Sequence, residues 1–517
     1  MRKWFKWNKN ERPESTDEWN DLLNKSLSAS FHENLATFKN LYADSYDIVF
    51  RKFQIGEKNP AALIYIQNMA DIKEVDKQVL LPLMRASDVG KIEMESMVND
   101  HIPVASAKVM SKVSDCVDEI SYGNPVLLIK GTGKAVGLHL NKPEKRQISQ
   151  PENEPVIRGP KEGFTESLHT NTSLIRQKIR TPKLKMKSLC IGEYTRTEVA
   201  VAFIETLADQ TLIEEVMNRL ERIEIDGVLE SGYIEEMIED TPFTPFPLVK
   251  TTERVDVAAA HLLEGRVAII VNGTPTLLLV PISLTSLMQA ADDYYNRALF
   301  GSSFRILRLF SLFLSLILPA LYVAITTFHQ EMLPTDLLIS IASAHEAIPF
   351  PTLIEALIMQ LSFEVLREAG LRLPRQVGSA VTIVGALVVG QAAVNAGFAS
   401  ATMVIVVAIT GITSFTAPHY ALETAIRILR FILIILAGTL GMLGLVFGLL
   451  AITVHLCTLR SFGVPYLAPM APAESGMFRD SWIRVPWWKM NKRPRLTGER
   501  NQNRQTRNLK PGPEKGK

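Results

Sequence analysis

From Phe304 to Arg460, long apolar segments follow one another with few charged residues between them, and this stretch limits the fold more than any other part of the chain. Roughly 20 apolar residues in a helix cover about 30 Å of hydrocarbon. Residues 304–327 (FRILRLFSLFLSLILPALYVAITT) meet that length, with Arg305 and Arg308 at the near end. Residues 376–397, 399–417 and 431–455 are expected spans as well. The last carries Gly438, Gly441, Gly444 and Gly448, a spacing that lets helices approach closely in lipid.

Residues 352–368 (TLIEALIMQLSFEVLRE) are largely apolar but carry Glu355, Gln360, Glu364 and Arg367. The last three are spaced by four and then three residues and share one helical face, while Glu355 points elsewhere. One reading is a helix lying at the interface or against the other helices. The other is a partial crossing whose polar face looks onto water or a protein cavity, because ionisable groups facing lipid are costly. Lys and Arg are absent from 309–366, 376–426 and 431–459. The positive-inside tendency then places the Arg297, Arg305 and Arg308 group and the C-terminal tail both in the cytoplasm, which needs an even number of crossings. Four full crossings, with 334–373 embedded but not spanning, is the expectation.

At 517 residues the chain has room for soluble domains beside a membrane domain, and a net charge of +2 argues against bulk nucleic-acid binding. Cys116, Cys190 and Cys457 form neither a metal-like spacing nor a disulfide framework. The opening MRKWFKWNKN has no apolar run after it and does not read as a cleavable signal.

Before the apolar stretch the pattern occurs twice. ALIYIQNMAD at 62–71 matches AVAFIETLAD at 200–209, and GNPVLLIKGT at 123–132 matches GRVAIIVNGT at 265–274, offsets of 138 and 142. Two blocks at nearly one offset point to a duplicated α/β unit, and each second block reads as the first strand and turn of a hairpin. The expected fold is therefore an α/β soluble N-terminal region of two similar subdomains, an α-helical multipass membrane domain and a basic disordered tail. The expected boundaries are a flexible N-terminus at 1–30, subdomains at 31–145 and 188–300 around a linker at 146–187, the membrane domain at 301–460, and a cytoplasmic tail at 461–517. SWIRVPWWKMNKRPR at 481–495 mixes Trp with Lys and Arg, as expected beside an anionic membrane face.

The search for chemistry excludes most classes. GTGKAVG at 131–137 lacks the longer loop and following Ser or Thr of a phosphate-binding loop and reads as a hairpin turn. His345-Glu346 begins like a zinc-protease motif, but Pro349 stands where the second His is needed. Nothing pairs a nucleophile with a base, so no catalytic, cofactor or metal site is expected. In 376–397, Leu387, Gln391 and Asn395 follow at four-residue steps with Gly390 and Val394 beside them. Amides in hydrocarbon need partners or water. They either bond helices together within one subunit or, in an assembly around an axis, form a pore wall lined by Leu387, Gln391, Val394 and Asn395, with Leu387 as the constriction and the amides as the wetted part.

The succession RGP (158–160), FTESLHTNTSLIRQKI (164–179), TPFTPFP (241–247), GRVAIIVNGTP, LLLVPISL, MQAADDYY, FHQEMLP, PFPTLIEAL, LREAGLRLP, GQAAVNAG and SFGVPYLAP resembles the A subunit of the GerA-type spore germination receptors of Bacillus and Clostridium over about residues 35–470. Two positions depart from that pattern: Val255 stands where proline is usual and Gln360 where an acidic residue is common. The resemblance implies a multipass protein of the spore inner membrane with its N-terminal domain in the cytoplasm. It implies action with a permease-like B subunit and a lipoprotein C subunit, and a homo-oligomeric ring, a pentamer, forming a nutrient-gated ion channel. The alternative is a transporter moving its own substrate, which calls for inverted repeats and broken helices at the midplane. A scaffold for partner subunits is the third reading.

Overall fold

The computed structural model describes residues 16–56, 59–86, 102–104, 106–142, 150–151, 153–346, 348–372, 388, 390–472, 480–494, 501–506 and 509–512. The chain divides into two compact units, one made of 1–240, 249–281 and 490–517, the other of 241–248 and 282–489.

The first unit holds two five-stranded antiparallel sheets. β1 (Ile48–Ile55), β2 (Asn59–Ile66), β3 (Ala107–Met110), β4 (Val126–Ile129) and β5 (Ala135–Leu138) lie in the order β1-β2-β4-β5-β3. β6 (Leu184–Ile191), β7 (Thr197–Ile204), β8 (Lys250–Thr252), β9 (Val267–Val271) and β10 (Leu277–Val280) lie in the order β6-β7-β9-β10-β8, the same path repeated. The matched sequence blocks fall on β2 and β7 and on the β4–β5 and β9–β10 hairpins. Alternation along β2 explains why its sequence is apolar throughout. Ala62, Ile64 and Ile66 pack against helices Phe31–Leu41 and Val113–Ser121, while Ala61 and Leu63 meet Val75, Val79 and Leu83 on the opposite face. The GTGKAVG segment carries the β4–β5 turn.

The helices entering the two sheets begin alike. Ser30 caps Phe31–Leu41 and Ser167 caps Leu168–Lys178. In each, an asparagine on the first turn clasps the residue six before it. Asn34 bonds the backbone of Ser28 at 2.8 and 2.7 Å, and Asn171 bonds that of Thr165 at 2.8 and 2.6 Å. S-x-S-F-H-x-N and T-x-S-L-H-x-N are thus a third matched block.

Three expected boundaries need correction. The N-terminal 1–30 is not flexible throughout: Thr16–Asn24 is helical, because Trp19 supplies an apolar anchor 1% exposed, with the Lys183 and Lys185 ammonium groups 5.5 Å from its ring centroid. The expected linker 146–187 contains helix Leu168–Lys178 and the start of β6; buried Asn171, Thr172, Ser173 and Arg176 hid its apolar face. Nor is the tail, expected to be disordered from about 496, without pairing where it is described: Lys492 bridges Asn503, and the tail is built from its start. Arg460–Ser461 pairs with Val464–Pro465, Tyr466 is buried, and Arg493 Nε donates to the Leu263 carbonyl at 2.8 Å.

On helix Ser231–Ile238, burial lifts the Glu235 carboxyl to about 7, with Glu239 and Glu230 adding to the rise. A carboxyl raised in the folded state contributes stability that is complete below its ordinary range near 4.5 and lost as pH rises through about 7. Glu235→Gln should remove that dependence and stabilise the chain at pH 8 by about 1 kcal/mol, the full linkage value being discounted for a side chain partly open to solvent. Thermal unfolding from pH 5 to 8 checks this; parallel curves for the two proteins would refute it.

The second unit is helical: Ala298–Phe328, Thr335–His345, Thr352–Arg372, Ala401–Ser414 and Tyr420–Thr458. Two of these, Ala298–Phe328 and Tyr420–Thr458, are long and apolar enough to cross a membrane. Ala401–Ser414 is apolar but shorter, and most of the expected span 376–397 lies outside the described residues.

Candidate functional site

Tyr420–Thr458 is not one rod. Gly441 has φ 63° and ψ −144°, a conformation open in practice to glycine alone. Around it the chain turns back on itself. A Cβ placed on Gly448 would lie 2.4 Å from Leu433 Cδ2, and one on Gly444 would fall against the Leu436 carbonyl oxygen. In a continuous helix the fifteen residues from 433 to 448 would span about 22 Å. The glycine spacing therefore serves a helical hairpin with arms at 420–440 and 442–458.

The first arm carries Glu423, Arg427 and Arg430 at four- and three-residue steps, the spacing of Gln360, Glu364 and Arg367 on Thr352–Arg372. The two stripes meet in antiparallel order. Arg367 Nη2 donates to Glu423 Oε1, and Arg427 Nη1 donates to Glu364 Oε2 at 3.1 Å. Arg430 Nη1 stands 3.8 Å from Glu364 Oε1. Gln360 Nε2 donates to Glu364 Oε1 at 3.4 Å. Arg430, 0% exposed, also reaches helix Ala298–Phe328, where its Nε donates to the Ser315 carbonyl at 2.7 Å. The Arg367 guanidinium stacks 4.9 Å from the Phe415 ring centroid. The polar face of Thr352–Arg372 is thus turned onto other helices and paired there.

Glu355 belongs to a separate site. It accepts from Ser400 N at 2.5 Å and Ser400 Oγ at 2.7 Å, and His345 Nε2 lies 3.1 Å away. Ser400 is the N-cap of Ala401–Ser414, so the carboxylate sits at the positive end of that helix. Tyr322 Oη shares a hydrogen with Thr402 Oγ1 at 2.8 Å beside it.

Of the pore candidates, Gln391 and Asn395 are exposed, Val394 is half-buried, and Leu387 lies outside the described residues. On the same helical stretch Gly390 packs toward Val404, where an added Cβ would be 3.4 Å from Val404 Cγ1. Sequence reasoning found Glu355, Gln360, Glu364 and Arg367 but missed their partners Glu423, Arg427, Arg430 and Ser400. The signal available was the repeated four-then-three spacing of 423, 427 and 430. Among the described residues no group of three or more His, Cys, Asp or Glu side chains is placed to hold a metal ion.

The class is an α/β region of two like sheets followed in sequence by a helical unit that holds two long apolar helices and internally paired charges. The chain belongs to the GerA family, described as Bacillus/Clostridium GerA spore germination protein, which matches residues 36–496. It is 44% identical to spore germination protein KA of Bacillus subtilis (strain 168), over 94% of this chain and 90% of that one. It is also 44% identical to the uncharacterized membrane protein YfkQ of the same organism, over 92% and 93%. Among solved structures, the N-terminal domain of the A subunit of the Bacillus megaterium spore germinant receptor GerK3 is similar, with 33% identity, a TM-score of 0.39, and coverage of 50% of this chain and 96% of that one.

Proposed function

We propose that this chain is the A subunit of a nutrient germinant receptor in the spore inner membrane, assembling as a ring, expected to be a pentamer, into a nutrient-gated ion channel. It acts with a permease-like B subunit that senses the nutrient and a lipoprotein C subunit. Family membership over most of the chain carries the reading. The α/β region faces the cytoplasm, and the protein is not an enzyme.

Among the described residues, helix directions favour more passages through the bilayer than the four expected from hydropathy. Phe328 packs at Gly441 and Leu353 at Gly438, which puts those four residues at one end of the bundle. Glu355 meets Ser400 and Arg367 meets Phe415, so Thr352–Arg372 and Ala401–Ser414 run parallel. With the reversal at Gly441, the described helices Ala298–Phe328, Thr352–Arg372 and Ala401–Ser414 and the two arms make five passages, and residues 298 and 458 lie at the same end of the bundle, as the charge distribution asks.

Exposed Gln391 and Asn395 support a pore wall contributed by this stretch, with Leu387 as the apolar constriction. Leu387→Ala should give leaky channels, seen as premature cation loss or spontaneous germination, while Ile405→Ala, a similar loss of apolar volume on the next helix, should not. Leakage from Ile405→Ala alone would place the pore elsewhere. Spores lacking this chain should fail to respond to one nutrient set while answering others. Gated single-channel currents from the purified complex in planar bilayers support the channel, and saturable uptake without currents supports the transporter. The repeat in this chain lies in its sheets rather than in its helices, which favours the channel.

A further inference from the structure

The antiparallel meeting of the two stripes pairs Arg367 with Glu423 and Glu364 with Arg427, and at the third step of each stripe Gln360 and Arg430 both reach Glu364 Oε1, at 3.4 and 3.8 Å. Two steps pair an acid with a base. The third brings no acid of its own, so the cluster holds three positive groups and two negative ones. Among the described residues the acid nearest Arg430 is Glu364, already engaged by Arg427 at 3.1 Å.

Arginine does not escape by losing its proton. Two of the Arg430 donors are met by dipoles, the Ser315 carbonyl at 2.7 Å and the Ser315 hydroxyl at 3.4 Å, but a dipole does not cancel a buried charge. Among the described residues, Arg430 Nη1 and Arg367 Nη1 are buried without a hydrogen-bond acceptor and Gln360 Oε1 without a donor. Each of these three residues is more than nine-tenths buried. Surplus charge and unmet N–H groups thus coincide at one place, and both are relieved by the same thing, a negative ion.

We propose that a single small monovalent anion of the chloride class binds at Arg430 Nη1, at the third step of the two stripes, and locks Thr352–Arg372 to the Tyr420–Thr458 hairpin. Water would fill the hydrogen bonds but leave the charge. A carboxylate from another chain would have to enter between helices that already close over Arg430.

The test uses the full chain purified in detergent and unfolded thermally at constant ionic strength, with chloride exchanged for gluconate. Wild type should gain about 4 °C in Tm over a hundredfold rise in chloride and go on rising with the logarithm of its concentration, as expected for a ligand bound only by the folded state. Gln360→Glu completes the third step with an acid of the chain's own and should show no chloride dependence. Arg430→Gln removes the surplus charge and should lose the dependence as well, which keeps the test sharp if Gln360→Glu does not fold. A wild-type Tm indifferent to chloride overturns the proposal. So does a chloride response in Gln360→Glu equal to that of wild type, or a Tm that rises only when partner subunits are added.

Discussion

Gly441→Ala should abolish accumulation of the folded chain in membranes. The substitution forces a side chain into φ 63°, ψ −144°, and its Cβ would lie 2.9 Å from His329 Cε1 and 3.0 Å from Phe328 Cβ. Strain of this kind costs about 1–3 kcal/mol. The clash adds to it, because Phe328 Cβ cannot move without shifting the end of helix Ala298–Phe328. The hairpin cannot relax into a straight helix either, since the arms at 420–440 and 442–458 would lose contact along Gly444 and Gly448. Gly463→Ala is the control: it too has a positive φ, 82°, but nothing lies within 4 Å of the added Cβ. Size-exclusion profiles of detergent extracts should show Gly441→Ala aggregated or missing and Gly463→Ala close to wild type. Equal loss in both would mean that crowding at the reversal does not matter.

That reversal shows where the sequence is legible and where it is not. The apolar run 431–455 reads as one crossing because hydropathy counts side chains, and a helix that doubles back through glycine keeps every residue apolar. Only the spacing of Gly438, Gly441, Gly444 and Gly448 distinguishes the two, and that spacing also fits two separate helices packing together. The sheets were easier. β2 and β7, buried on both faces, keep long apolar runs, and the turn after β4 or β9 needs glycine at positive φ, Gly131 or Gly273. Helix Leu168–Lys178 escaped notice for the opposite reason, since Asn171, Thr172, Ser173 and Arg176 are buried where an apolar stripe would be sought. The charged stripes were half visible. Gln360, Glu364 and Arg367 stand out against apolar neighbours, but which helix would face them depends on tertiary geometry.

Arg176 is the most consequential of those hidden residues, and Asp47→Ala is expected to expose its role. Asp47 precedes β1 of the first sheet, Arg176 lies on the helix entering the second, and both are almost wholly buried. They form a two-pronged pair, Nε to Oδ2 at 2.7 Å and Nη2 to Oδ1 at 2.9 Å, and the third guanidinium nitrogen donates to the Leu184 carbonyl at 2.8 Å. Backbone bonds run alongside, Tyr46 N to Met186 O and Met186 N to Asp44 O, each 3.0 Å, so the pair sits where the two subdomains join. Removing the carboxylate strands a buried cation that stays protonated, which typically costs about 3–5 kcal/mol. Asp47→Asn keeps one acceptor oxygen and should cost less. The double variant Asp47→Ala with Arg176→Met removes both charges and should recover at least about 1 kcal/mol of the single loss, because the stranded charge is the larger part of it. Thermal unfolding and limited proteolysis of the four proteins supply the cycle. If the double variant is less stable than Asp47→Ala by the full cost of Arg176→Met alone, the two residues are not coupled and the join is held by the backbone bonds instead.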